Sequence, residues 1–402
     1  MAKAKFRIGI GNITIDKAAR QNVLKVLDSG RLSYGNFTRK FEESMAKLHG
    51  RRHAIFTNSG TSALHVSLNV LKDKFNWSDN DEVLVPADTF VASASVILHN
   101  RLKPIFVDVE PDFYCVDPTK IEAKITKKTK AIIPVHLFGQ SADMKPIMAL
   151  AKKYKLRVIE DSCETMFVKY KGKPVGFWGD ISCYSTYSTH IIKTGEGGLI
   201  MTNKDDLAER IKSYINHGRD NIYLSIDDDD NKKPKELTKI IEKRFSFIHL
   251  GYNMKSTELE AAIGLAQLQK WKATVKKRQE NANFLNRNLK RWSGFLNLPK
   301  VRKNSEHCYM LYPIVIINNK IKRAQLVEHL ETNGIETRYL MPLLNQPIYQ
   351  NIFGNIENNY PVAKYLASRG FLIGCHEDLT KAELEYIVEI FGEFFESVQY
   401  SN

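Results

Sequence analysis

HAIFTNSGTSALHVSLNVLKDKF, residues 53–75, is the stretch that decides the fold class. Its first residues form the short apolar run of a buried strand. A turn of small residues follows, and from Thr61 onward the apolar positions recur at three and four, the spacing of a helix with one buried face. Strand, tight turn and helix make half of a βαβ unit. Six more strand-like runs follow: EVLVPA (82–87), KPIFVDV (103–109), AIIPVHLF (131–138), RVIED (157–161), SCYSTY (182–187) and LIMTN (199–203). Helical patterns such as MKPIMALAKKYK (144–155) separate several of them. Seven strands alternating with helices predict an α/β domain built on a mostly parallel sheet. Such sheets bind ligands at the carboxyl ends of their strands.

The chain of 402 residues is long enough for a large domain and a smaller one. After GYNMKSTELEAAIGLAQLQKW (251–271), an amphipathic helix, helix and strand patterns mix to the end. We therefore expect a large domain over 1–250 and a small α+β domain over 251–402. Hydrophobic residues make up 43% and charged ones 26%, an ordinary soluble composition. No apolar run approaches the roughly 18 residues of a membrane span. The first residues lack the apolar core of a signal peptide, so cytoplasm is the expected location and no membrane partner is expected.

The net charge of +14 raises the possibility of a nucleic-acid partner. The basic residues are spread along the chain rather than clustered with aromatics, which favours a solvated surface that attracts anionic substrates. No nucleic acid is expected. The five cysteines (Cys115, Cys163, Cys183, Cys308, Cys375) are scattered, with no C-x-x-C pair, and read as reduced thiols rather than zinc or iron–sulfur ligands. The run Asp227–Asp230 lacks the glycine and spaced ligands of a calcium loop and reads as a solvated turn, so no metal is expected.

Several residues could do chemistry. The turn at 57–65 would place Gly60 and Thr61 at a helix start, where backbone N–H groups bind phosphate, though Ser and Thr there also serve simply as caps. Asp161 ends a central strand and, on its own, reads as a helix-capping aspartate, or as a carboxylate that would need a positive partner to be buried. Phe90, in VPADTFVAS, could stack on a flat ring or pack in the core. The stretch YSTYSTHIIKTGEGG (184–198) closes with a glycine-rich turn, and His190 stands eight residues before its last glycine.

Together, in this order and spacing, these features resemble the DegT/DnrJ/EryC1/StrS family of nucleotide-sugar aminotransferases. The resemblance runs over nearly the whole chain. It includes GRLSYGNFTRKFEESMAKLHG, SGTSALH, KPIFVDVEPDFYCVDP, VIEDSC, NHGR, GYNMKSTELEAAIGLAQL and GIETRYLMPLLNQPIY. It implies a fold-type I, pyridoxal-phosphate-dependent homodimer with active sites shared between subunits. By that resemblance Gly60, Thr61 and Ser185 hold the cofactor phosphate, Phe90 stacks on the ring and Asp161 pairs with the pyridine nitrogen. Glu164 stands where the family usually has glutamine, near the ring oxygen, and Asn253 reaches the phosphate from the partner. Arg338 and Tyr339 are placed near the nucleotide sugar, although a glycine-asparagine pair often found in that segment is missing.

His190 occupies the place of the family's Schiff-base lysine. Imidazole cannot form that bond but can carry a proton near neutral pH. This is similar to the nucleotide-sugar 3-dehydratases of the same superfamily, which work with pyridoxamine phosphate and carry histidine here. The four cysteines of the iron–sulfur type are missing, so the likeness is to the cluster-free GDP-4-keto-6-deoxymannose 3-dehydratase type. It implies removal of the C3 hydroxyl from a nucleotide-linked 4-keto-6-deoxy sugar, with glutamate as amino donor. Three alternatives stand beside it: an aminotransferase using Lys193, a lysine-to-histidine variant of one, and a non-catalytic nucleotide-sugar-binding protein.

Overall fold

The computed structural model describes residues 4–220 and 231–400. The acidic run at Asp227–Asp230 lies outside them. The strands are β1 (His53–Thr57), β2 (Glu82–Pro86), β3 (Lys103–Val107), β4 (Thr129–Ile132), β5 (Arg157–Asp161), the short hairpin β6 (Lys169–Tyr170) and β7 (Lys173–Pro174), β8 (Ile181–Ser185) and β9 (Gly198–Thr202). All seven runs read from the sequence are strands of one sheet, in the order β1-β9-β8-β5-β4-β2-β3. β5 lies parallel to β4 and β8, and β2 lies parallel to β3 and β4. Only β9 runs against its neighbours, β1 and β8.

The reversal of β9 follows from its connection. Twelve residues without a helix, 186–197, join β8 to β9, whereas adjacent parallel strands need a crossover, usually a helix. The consequence is local and decisive. The first residue of β9, Gly198, lies beside the last residues of both β1 (Thr57) and β8 (Ser185). A β-carbon on Gly198 would stand 2.6 Å from the Gly60 nitrogen and collide with the Ser59 carbonyl. Only glycine allows that approach.

The helix Gly60–Lys74 follows β1 and buries Ala63, Leu64, Val66, Leu68, Val70 and Leu71 against the sheet. The second sheet contains β10 (Leu296–Asn297), β11 (Tyr312–Ile316), β12 (Thr337–Tyr339) and β13 (Gly370–Ile373), all antiparallel in the order β10-β11-β13-β12. The helices Trp271–Leu289 and Lys381–Tyr400 contribute to a second core that includes Leu285, Ile314, Phe371, Ile387 and Phe391. The N-terminal segment joins that core through Ile8, which pairs with Ile335, one N–H···O contact running from Ile8 to Gly334 at 2.8 Å.

The helix Asn36–Leu48 begins at Gly35, which has no side chain to cap it. Glu258, at the start of the distant helix Glu258–Leu268, supplies the cap. Its buried carboxylate accepts the N–H groups of Gly35 (2.9 Å), Phe37 (2.9 Å) and Thr38 (2.8 Å), and the Thr38 hydroxyl. Anions at helix starts are favourable, and removing one partner of several buried bonds strands the others. We expect Glu258→Ala to lower unfolding free energy by about 3 kcal/mol in urea titrations. A loss under about 0.5 kcal/mol, the scatter of neutral surface changes, would contradict this role.

Candidate functional site

The strand ends β1, β8 and β5 and the start of β9 open onto one edge of the large sheet, and the chemistry-bearing side chains collect there. Ser59 precedes the helix Gly60–Lys74 in an extended conformation, and its hydroxyl accepts the Ser62 N–H at 3.0 Å. The N–H groups of Gly60 and Thr61, in the first turn, have no intrahelical partner by position. A β-carbon at Gly60 would lie 2.8 Å from Ser185 Cβ and 2.9 Å from Cys163 Sγ. The helix start is thus seated directly on the end of β8 and the turn after β5. The result is a cradle of small residues with two backbone donors and the Ser185 hydroxyl, which takes the Tyr187 N–H at 3.3 Å.

Asp161, the last residue of β5, is buried. Its Oδ2 accepts the Ser93 hydroxyl at 2.7 Å and its Oδ1 the Cys163 N–H at 3.2 Å. Ser93 sits in the helix Val91–His99, whose preceding residue is Phe90. This bond therefore links the Phe90 turn to the end of β5. Phe90 is 56% exposed, an unusual position for a large aromatic ring. Glu164, buried three residues after Asp161, accepts the Phe138 N–H at 2.9 Å. Burial pushes its pKa up to about 7, with the Asp161 charge adding to the rise against the opposing Phe138 hydrogen bond. Near neutral pH this carboxyl can either donate or accept.

His190 lies in the loop 186–197. The loop is closed at its base by Thr186 N–H to Gly197 O (2.9 Å) and Thr194 N–H to Thr186 O (2.8 Å). The half-buried imidazole faces back along the loop. Its Nδ1 lies 3.3 Å from the Ser185 carbonyl, a contact that favours the tautomer with a proton on Nδ1. Burial lowers its pKa to about 4, and the hydrogen bonds to the Ser185 and Cys163 backbone only partly oppose that, while the Arg278 charge reinforces it. The ring is a neutral base at physiological pH.

The remaining sequence candidates lie around this group. Lys193 has left the cradle altogether: its ammonium donates to Glu377 Oε1 at 2.7 Å and to the Asn12 carbonyl. Asn253 Oδ1 accepts the Lys255 ammonium at 2.8 Å, on a segment paired with the end of β1. Arg338 and Tyr339 are exposed on β12, with Arg338 bonded to Glu336 and the Arg323 guanidinium stacked 3.8 Å above the Tyr339 ring. Pro342, just beyond them, pairs with Asp88, two residues before Phe90. The chain thus brings Gly60, Ser185 and His190 into direct succession with Asp161, Glu164 and Phe90 alongside. Asn253, Arg338 and Tyr339 stand on neighbouring segments.

Sequence reasoning missed Ser93, which orients Asp161 from 68 positions away in the chain. It also missed Asp88, a carboxyl only 1% exposed whose two oxygens have no hydrogen-bond partner among the described residues. Burial raises its pKa well above the usual range, and the Asp108 and Glu164 charges add to this. The position next to Thr89 and Phe90 was the available signal.

The low pKa of His190 has a measurable consequence. In the unfolded chain this histidine binds a proton near pH 6.5, but the folded form resists it down to about 4. Its share of stability is therefore present above pH 6.5 and lost as pH falls towards 4. Urea titrations at pH 7 and 4.5 should show wild type losing more stability on acidification than His190→Asn. Parallel losses would contradict a buried neutral imidazole.

These residues fit a phosphorylated pyridine ring: donors and a cradle too tight for a side chain at one end, an exposed aromatic face, and a buried carboxylate. Comparison with known proteins agrees. Residues 13–392 match the model of the DegT/DnrJ/EryC1/StrS aminotransferase family. GDP-perosamine synthase of Caulobacter vibrioides is 32% identical over 95% of this chain and 96% of its own. The dTDP-4-dehydro-2,6-dideoxy-D-glucose 3-dehydratase of Saccharopolyspora spinosa is 31% identical over 90% and 81%. The structure of the E. coli GDP-4-keto-6-deoxy-D-mannose-3-dehydratase with bound hydrated pyridoxal phosphate superimposes with a TM-score of 0.86 at 25% identity, covering 95% of this chain and 98% of that one. Among the described residues no helix is long and apolar enough to cross a membrane. A fold-type I architecture, a cradle for a phosphorylated ring and a family match over nearly its full length place this chain in the DegT/DnrJ/EryC1/StrS aminotransferase family, with pyridoxal or pyridoxamine phosphate as its cofactor.

Proposed function

We propose that this protein is a nucleotide-sugar 3-dehydratase, which removes the C3 hydroxyl of a nucleotide-linked 4-keto-6-deoxyhexose for deoxysugar and surface-polysaccharide synthesis. The observation that carries the reading is the fate of the loop's two basic residues. Lys193, the lysine nearest the usual anchoring position, is locked in a buried ion pair with Glu377. His190, at that position, is a neutral base that cannot form a covalent tether. An aminotransferase anchored through Lys193 would have to break this pair and turn the loop inside out.

Gly60, Thr61 and Ser185 hold the phosphate, as the cradle geometry supports. Phe90 covers one face of the ring. Asp161, oriented by Ser93, keeps the pyridine nitrogen protonated. Glu164 shares a proton with the ring oxygen. Bound in its pyridoxamine form, the cofactor would supply an amine for the C4 ketone and a ring able to accept an electron pair. His190 takes the proton from the C4′ carbon through Nε2 and hands it to the departing C3 hydroxyl, which leaves as water. Water would then release the 3-deoxy ketosugar and the transferred nitrogen as ammonia, and glutamate would be the donor that returns the cofactor to its amine form. Arg338 and Tyr339 contact the nucleotide sugar, and Asn253 acts in a homodimer, reaching the second subunit's phosphate.

Two measurements test this. Borohydride reduction of the protein with pyridoxal phosphate should leave no pyridoxyl-lysine; a stable adduct on Lys193 would overturn the proposal. His190→Asn should reduce turnover by at least 100-fold, within the range for losing an acid–base group, while cofactor absorbance titrations stay close to wild type. Undiminished turnover would remove His190 from the mechanism.

A further inference from the structure

Lys193 is 1% exposed and Arg278 is fully buried. Both are cations, and one carboxylate holds them. Glu377 Oε1 accepts Lys193 Nζ at 2.7 Å, and Oε2 accepts Arg278 Nε at 2.8 Å. Arg278 is fixed in turn by the carbonyls of Tyr309 (3.2 Å) and Met310 (2.9 Å). Burial opposes ionisation of Glu377, but the Arg278 and Lys193 charges outweigh it and hold its pKa below the ordinary value. Stability alone does not account for this arrangement. Replacing a buried ion pair by apolar groups of equal volume is often neutral or favourable. What a buried pair does impose is one relative geometry on the segments that carry it.

Those segments are informative. Lys193 belongs to the loop 186–197, three residues after His190. Glu377 follows β13, and Arg278 belongs to the helix Trp271–Leu289. The N-terminal segment closes the arrangement from the other side. Asn12 accepts Lys193, and Gly11 lies so near Thr189 that a β-carbon there would be 3.2 Å from Thr189 Cβ. Thr189 is the residue before His190. The imidazole itself is held by hydrogen bonds to the Ser185 carbonyl at 3.3 Å and to the Cys163 backbone, neither of which fixes the loop that carries it. A lysine bonded to a cofactor would fix its loop by that bond. A histidine has no such bond, so the loop must be held from behind.

We infer that Lys193 is the positioning residue for His190: its buried pair with Glu377, backed by Arg278, fixes the loop in place of the missing covalent tether. The inference rests on the reading of His190 as the proton carrier. A misplacement of about 1 Å at a reacting group costs on the order of 100-fold in rate, so a loop held at one end only would show mainly in kcat.

Glu377→Gln removes the charge with little change in shape, and Lys193→Met removes the ammonium with similar volume. Each should lower kcat by about 10- to 100-fold with KM for the nucleotide sugar and glutamate within about threefold of wild type. The double variant should be no slower than the worse single one, as for residues acting as a unit. Independently of turnover, hydrogen exchange of the peptide 186–197 should accelerate by at least about tenfold in Glu377→Gln, with β11 and β13 unchanged. Wild-type kcat and wild-type loop exchange in Glu377→Gln would overturn the positioning role. So would a uniform rise in exchange across both sheets, which marks general destabilisation. Active His190→Asn would overturn the base role and the positioning role together. Inactive His190→Asn with fully active Glu377→Gln would overturn the positioning role alone.

Discussion

Gly198 is the residue against which the rest of the site is built. Because β9 returns antiparallel between β1 and β8, this glycine touches the ends of both strands, and the backbone of Ser59 and Gly60 rests on it. Any side chain there would push the helix Gly60–Lys74 off the sheet and open the cradle. Gly60 repeats the constraint one layer away, where Ser185 and Cys163 leave no room for a β-carbon. Two glycines 138 positions apart thus bring a helix start, a serine hydroxyl and a buried carboxylate to one sheet edge. The backbone donors that this edge offers to an anion are a consequence of that backbone proximity.

The electrostatics of the site follow from how little water reaches it. Asp161 is buried with one hydroxyl and one amide as partners, which leaves further acceptor capacity on its carboxyl oxygens. Glu164 and His190 are displaced in opposite directions by the same cause. Burial disfavours charge, so the carboxyl rises to about 7 and the imidazole falls to about 4. Near pH 7 the site therefore holds a carboxyl able to share a proton and an imidazole able to take one, next to a carboxylate that stabilises positive charge. Acid and base characters separate because the environments differ.

The sheet was legible in the sequence, and so was the order of the candidate site residues along it. Each of the seven strand runs carries its own apolar signature, and each is a strand. The antiparallel direction of β9 could also be inferred, since twelve residues rich in Gly, Ser and Thr leave no crossover helix. The glycine-rich turn and His190 were visible because their spacing is local. What the sequence concealed is interaction across long separations between residues of ordinary type. Nothing in Ser93 announces that it will hold Asp161, and nothing in Glu377 announces a partnership with Lys193 across 184 positions. Lys193 illustrates the limit best. Its place three residues after His190 already argued that it would point away from the anchoring position; the partner that holds it there came only with the fold.

The proposed dehydratase function, in which a free histidine replaces a tethering lysine, is tested most directly by the mass of the product. The protein is incubated with pyridoxal phosphate, glutamate and a nucleotide 4-keto-6-deoxy sugar, and the sugar is analysed by mass spectrometry. The expected product has hydrogen in place of the C3 hydroxyl, with consumption of glutamate. A product that has instead gained an amine at C4 and kept its C3 hydroxyl would contradict it.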